Sequence, residues 1–308
     1  MRPSVLAVAA VLSAGVAAIS FGSIFVRLAS QSAGDSGVAF SLVMSALRML
    51  FASLFLLPAW QGLRRLKTSA NPWPFALGAG AFLALHFATW ITSLGLTSIA
   101  ASTVLVTSTP IWMALLAWLW LGLAPNRLTL LAIGIALGGA VVVALADSGG
   151  APAPDPPLGN LLALCGAVAA AAYLLLGREA QRRGLPIGVY IATAYTTAAL
   201  LLLPLPWLLG GGYLGYPPLT YLWIALMALF PQLIGHTSLN WAMRHAHPVL
   251  VSLVALLEPV GASLLALLIF AEVPSVQVVW GGLLLLAGVG LAVLGNSSRE
   301  KAAAEEGP

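Results

Sequence analysis

Ten long apolar segments fall into two sets of five, and that odd number constrains this chain more than any single residue does. They run approximately over 5–29, 38–60, 73–94, 98–121 and 127–146, then 158–178, 187–209, 219–242, 248–270 and 276–295. Each approaches the ~20 residues that a helix needs to cross a hydrocarbon core. The runs are continuously apolar, without the period-two alternation of a membrane β-barrel. Only 7% of the residues are charged, against 60% hydrophobic and a mean hydropathy of +1.00, whereas a soluble domain carries about 25% charged residues. The expected fold is therefore an all-α polytopic membrane protein with ten transmembrane helices. Five crossings end on the opposite side from where they began, so a second set of five lies upside down relative to the first.

An internal repeat agrees with this division. Positions 86–125 resemble 236–274: at an offset of 149, Pro110 falls on Pro259, Pro125 on Pro274 and Gly139 on Gly288. At 150, His86 falls on His236, and at 151 Arg27 meets Arg178. Two inverted five-helix repeats are a common build for alternating-access carriers. The expected organisation is a first repeat over 1–146, an extracytoplasmic Pro/Gly/Ala/Asp linker over 147–157, a second repeat over 158–295 and a cytoplasmic tail over 296–308.

The few charges orient the chain. Arg2, Arg64, Arg65, Lys67, Arg127, Arg182, Arg183, Arg244, Arg299 and Lys301 fall on one side, while Asp35, Asp147, Asp155 and Glu272 fall on the other. Arg27 alone breaks the pattern. The Lys/Arg rule then places both termini in the cytoplasm, as an even number of spans requires. A net charge of +4 and a pI near 9.6 thus serve topology rather than nucleic-acid binding. The first segment is longer than a signal-peptide core, so cleavage is not expected. Cys165 is the only cysteine; it permits neither a disulfide nor a thiolate metal cluster and reads as small packing material.

Polar groups inside apolar spans are costly and tend to face a cavity or one another. His86, Thr89 and Trp90 share one helical face. Thr107, Ser108, Thr109, Pro110 and Trp112 interrupt the fourth span; His236, Thr237, Asn240 and Trp241 occupy the eighth; Glu258 and Pro259 lie in the ninth. Pro110 and Pro259 are expected kinks, because proline removes a backbone donor and frees a carbonyl one turn earlier. Glu258 is open to three roles: carrying a coupling proton, meeting a substrate amine, or forming a buried pair with Arg48 or His86. His86, Trp90, Thr107, Ser108, Trp112, Asn240, Trp241 and Glu258 are the candidate substrate-binding or gating residues. Helix packing remains the plain alternative for the tryptophans, and for glycines such as Gly134, Gly138, Gly139, Gly281, Gly282, Gly288 and Gly290. The fifth and tenth spans, almost free of polar side chains, suit a scaffolding or dimer-forming place.

Enzyme chemistry finds no footing. No HExxH, GxxxxGK[ST], GxSxG or DxD pattern occurs, and acidic residues are too few for a magnesium phosphoryl-transfer centre. No metal, cofactor or ATP-driven step is expected.

The segment HFATWITSLGLTSIAASTVLVTSTPIWMALLAWLWLG, residues 86–122, and its relative VLVSLVALLEPVGASLLALLIFAE, residues 249–272, resemble the EamA family of the drug/metabolite transporter superfamily. In that pattern an aliphatic run enters a proline, and the following helix ends in glutamate. Glu272 occupies that place in the second half; Leu123 departs from it in the first. The resemblance covers nearly the whole chain. It implies ten helices in two inverted halves, spans 1–4 and 6–9 around a central cavity, and spans 5 and 10 behind. It also implies a secondary transporter in a bacterial inner membrane, similar to exporters of amino acids, including aromatic ones, and other small metabolites. A drug or quaternary-amine exporter and a non-transporting scaffold or receptor are the alternatives. The implied partners are a small-molecule substrate, lipid and a coupling proton, with the chain a monomer or homodimer.

Overall fold

The computed structural model describes residues 3–65, 71–94, 96–97, 102, 105–106, 108–146, 155–271, 273 and 276–305. These residues form helices throughout: α1 (Val5–Ala33), α2 (Val38–Phe55), α3 (Trp73–Leu94), α4 (Thr109–Leu121), α5 (Arg127–Ala146), α6 (Pro156–Arg182), α7 (Ile187–Leu202), α8 (Pro218–His245), α9 (Pro248–Phe270) and α10 (Val276–Glu305). Seven helices are long and apolar enough to cross a membrane, and three shorter apolar ones span Thr109–Leu121, Arg127–Val142 and Val279–Ala292. The protein is thus an all-α polytopic membrane protein.

Helix ends follow local chemistry. Ser4 Oγ accepts from Ala7 N–H at 3.2 Å and Asp155 Oδ1 from Leu158 N–H at 3.2 Å, which satisfies donors that a helix start leaves free. Prolines occupy the first turn of α4, α6, α8 and α9, where the missing N–H costs nothing. Several boundaries differ from the sequence expectation. α2 stops at Phe55 and continues as a 3-10 segment, Leu57–Arg65. α10 runs on to Glu305, so most of the expected tail continues the last helix.

The repeat has a structural counterpart. The first residues of α2 and α7, of α4 and the second piece of α9 (Glu258–Phe270), and of α5 and α10 are each separated by 149. Thr109–Leu121 and Glu258–Phe270 are both 13 residues long, and both end in a left-handed residue, Gly122 at φ 68° and Ala271 at φ 56°. The two halves also exchange partners, with α1 packing along α8 and α6 along α3. Gly15 approaches Gly235 and Ser238 in the first contact, and Gly166 approaches Thr89 and Trp90 in the second.

The interior is rich in small side chains, including Ala46, Ala52, Ala76, Ala79, Ala171, Ala194 and Ala242, which let helices meet closely. Leu119, Trp118, Leu268, Trp280 and Leu294 point outward; in a membrane protein these belong to the lipid-facing surface. Cys165 is exposed on that surface, and the packing role expected for it does not hold. α5 and α10 pair with each other: a Cβ at Gly139 would meet Gly281 O at 2.6 Å, and one at Gly288 would meet Ala136 N at 2.7 Å. The repeat-related glycines therefore serve a contact within one chain.

Candidate functional site

Four charged or titratable side chains gather between the halves. Arg48 of α2 is buried, and its guanidinium lies 4.7 Å above the ring of Phe87. His86 and His236 approach the same ring, with centroid separations of 5.0 and 6.2 Å. Glu258 opens the second piece of α9. His86, His236 and Glu258 stand deep in the bundle yet are only half-buried.

Irregular helix geometry positions them. Within α8, Ala228–His236 is wound as a π-helix containing Pro231. Proline cannot donate the i→i−4 bond, and a wider turn accommodates the freed carbonyl. This segment presents Gln232 to Arg48, whose Nε and Nη2 donate to Gln232 Oε1 at 3.0 and 2.6 Å. Tyr195 Oη donates to the Gln232 carbonyl at 3.2 Å and fixes the turn from α7. α9 is interrupted at Leu256–Leu257 and restarts at Glu258 with Pro259 in its first turn. Ser20 of α1 donates to Val16 O at 2.8 Å and to Glu258 O at 3.3 Å, bracing the restart. A Cβ on Gly22 would stand 3.8 Å from Pro231 Cγ and 4.0 Å from Glu258 Oε1. Gly22 of α1 thus faces both the π segment and the Glu258 carboxylate.

The buried pair considered for Glu258 does not form. Arg48 is bound by Gln232, His86 Nδ1 donates to Gly166 O at 2.9 Å, and among the described residues Glu258 makes no ion pair with either. It acts on Arg48 at longer range. The Gly166 contact puts the proton of a neutral His86 on Nδ1, leaving Nε2 as an acceptor. Trp90 stacks on His86 at 5.8 Å, and its buried indole N–H has no partner among the described residues.

The other expected site residues separate from this group. Trp112 Nε1 donates to Ser108 Oγ at 3.1 Å, and Ser108 in turn to Leu105 O at 2.5 Å, so this pair closes the turn before α4. Pro110 is in the first turn of that helix. Thr107 lies outside the described residues. Asn240 is fully buried, and its side chain is taken up by partners within the bundle. Its Oδ1 accepts from Tyr190 Oη at 3.0 Å, and its Nδ2 donates to His236 O at 2.7 Å and to Tyr173 Oη. Gln181 Nε2 adds a bond to Asn240 O at 2.9 Å. Trp241 packs on His245 at 4.6 Å. Arg27 covers the Phe270 ring at 4.4 Å, whereas Arg178 Nε donates to Met243 O at 2.9 Å, so the two arginines meet different elements. Sequence reasoning missed Gln232, Tyr173, Tyr190 and Tyr195; Pro231 inside an apolar run was the available signal for the first.

A bundle of membrane-spanning helices with broken helices and polar groups at its centre is a build that membrane transporters use. The chain belongs to the EamA-like transporter family, whose sequence profile matches residues 5–145 and again residues 157–294. An uncharacterised transporter of Archaeoglobus fulgidus is 25% identical over 270 residues, spanning 88% of this chain and 90% of that protein. A solved crystal structure, 21% identical, superposes with a TM-score of 0.78 over 96% of this chain and all of that one, and shows the same fold. The protein is a multi-pass secondary transporter that moves a small molecule across a membrane.

Proposed function

We propose that this transporter exports small amphiphilic metabolites, foremost amino acids including aromatic ones, by alternating access. The observation that carries the reading is the gathering of Arg48, Gln232, His86, Trp90 and Glu258 from four helices at the centre of the bundle. A cation, a carboxylate, neutral donors and flat aromatic surface together suit a solute with charged and apolar ends. Ten spans in two inverted halves, over 1–146 and 158–295, would let one central site face either side in turn. The excess of Lys and Arg in one set of connectors favours cytoplasmic termini in a bacterial inner membrane. Ser108, Trp112 and Pro110 brace the turn before α4, and Asn240 with Trp241 packs the far end of α8, which fits gating better than substrate contact.

Counterflow of a panel of radiolabelled L-amino acids into proteoliposomes tests this function; absence of protein-dependent flux across the panel refutes it. Glu258, which makes no direct ion pair among the described residues, is the residue proposed to carry a coupling proton or meet the substrate amine. If it couples, Glu258→Gln abolishes the response to an imposed proton gradient while counterflow persists. An unchanged response assigns coupling elsewhere. The same free carboxylate favours the second reading, a quaternary-amine exporter, which predicts competition by tetraalkylammonium ions and none by amino acids.

A further inference from the structure

Arg48 is a charge inside a membrane span, and such a group demands compensation. Its direct contacts are neutral: the Gln232 side-chain oxygen and the face of Phe87. A guanidinium carries five N–H groups, and the bonds to Gln232 use two of them. Those bonds also fix the glutamine amide. With Oε1 held by both Nε and Nη2, the amide cannot turn over, and its NH2 group is fixed on the other arm of the amide, next to Oε1. Gln232 is wholly buried, and among the described residues Nε2 has no acceptor. An unpaired buried donor is expensive unless something else completes it.

We propose that Arg48 and Gln232 form a carboxylate seat at the centre of the transport path, so that the cargo must carry a free carboxylate. The inference rests on the amino-acid reading above and names the end of the substrate that the protein recognises. Nε2 and Oε1 share one carbon, so the orphan N–H stands beside the guanidinium. Two carboxylate oxygens can accept from both at once, in charge-assisted hydrogen bonds. An ester retains a weaker acceptor without charge, and an amine offers no acceptor. The seat is stiff. Gln232 belongs to the π segment, its carbonyl is held by Tyr195, and the Phe87 ring supports Arg48 from one face. Glu258, close enough to Arg48 to interact with it electrostatically, is the group proposed to meet the cationic end of a zwitterion. One guanidinium and one amide match a monoanion; among the described residues no second buried cation stands beside Arg48 for a dianion.

The test compares acids with their methyl esters as competitors of amino-acid counterflow in proteoliposomes. L-phenylalanine and L-leucine, with their methyl esters, are the probes. In the native protein the acids are expected to compete at least about tenfold better, as loss of one charge-assisted contact implies. Gln232→Glu is the informative variant. It keeps the oxygen that Arg48 binds, converts the orphan donor into an acceptor and neutralises the guanidinium, so the acid-to-ester ratio should fall to about one. Equal competition by esters in the native protein overturns the carboxylate seat while leaving amino-acid transport intact. An unchanged ratio in a folded Gln232→Glu also overturns it, because a merely structural pair would not set selectivity. If Gln232→Glu fails to fold, the native ratio decides alone. Absence of flux for every amino acid overturns both the seat and the reading beneath it.

Discussion

The crossing of α5 and α10 offers a quantitative test on one pair of helices. At Gly139 an added Cβ would stand 2.6 Å from Gly281 O, 2.7 Å from Leu285 N and 3.0 Å from Leu284 Cβ. At Gly288 it would stand 2.7 Å from Ala136 N, 2.8 Å from Ala136 Cβ and 2.9 Å from Ala132 O. Carbon contacts prefer about 3.5–4.0 Å. Most of the opposing atoms are backbone and cannot swing aside, so the helices must separate by roughly 1 Å. A gap of that size forfeits about a quarter to a half of the dispersion attraction at each affected contact. Gly139→Ala and Gly288→Ala should therefore each destabilise the fold by about 1–3 kcal/mol. Gly134, Gly138 and Gly290 have no atom within 4 Å of such a Cβ. Alanine there should be neutral or stabilising by up to ~1 kcal/mol through helix propensity. Because one substitution already parts the helices, the Gly139→Ala/Gly288→Ala double variant should cost less than the sum of the singles. Equilibrium unfolding in mixed micelles with rising SDS, followed by tryptophan fluorescence, measures all of these. Equal stability of Gly139→Ala and Gly138→Ala would refute the close crossing.

Three further outcomes follow from local geometry. Ala271 holds φ 56° where its counterpart is Gly122 at φ 68°; Ala271→Gly should stabilise by about 1 kcal/mol and Gly122→Ala destabilise by about as much, both read by the same unfolding assay. Asn240→Leu leaves Tyr190 and the His236 carbonyl without their partner, at about 1–3 kcal/mol per buried group. Its effect should be on stability, with the order of preference among transported solutes unchanged. In the connector before α8, burial pushes the Tyr213 hydroxyl up to about 12, and that hydroxyl donates to Leu203 O at 2.7 Å. The folded state therefore favours the neutral phenol. This contribution is constant below the ordinary tyrosine value near 10 and is lost as pH climbs from there towards 12. Melting between pH 9 and 11 should show an alkaline decline that Tyr213→Phe flattens.

The scaffold was legible because lipid imposes simple rules on sequence. Apolar runs of the right length marked the helices, and the spacing between Pro110 and Pro259 reappears as two 13-residue helices with matching ends. The site was legible only in part. Arg48, His86 and Glu258 announced themselves as polar residues in apolar spans. The partner of Arg48 did not, since Gln232 lies 184 positions away and nothing in helical periodicity links residues across two halves. The π winding of α8 was equally hidden: periodicity assumes 3.6 residues per turn, and only Pro231 hinted at a change. The buried tyrosines misled for another reason. Tyrosine in a membrane span usually belongs to the interface, yet the hydroxyls of Tyr173 and Tyr190 meet Asn240 inside the bundle.

Comparison of the two copies separates scaffold from site. Contacts equate Gly15 with Gly166 and Ser238 with Thr89, which places Gly235, rather than His236, opposite His86. At the same spacing, Arg48 corresponds to Thr197, Gln232 to Leu83 and Glu258 to Thr109. Every charged or pinned polar group at the centre thus has an uncharged counterpart. Arg48 and His86 come from the first half, Gln232 and Glu258 from the second. Shared positions, such as Gly139 with Gly288, build the crossings that hold the halves together. A site made only of matched residues would look alike from either half and could not tell one end of a solute from the other. Placing the cation Arg48 on one half and the carboxylate Glu258 on the other makes the centre electrically asymmetric, which a site built of matched residues could not be.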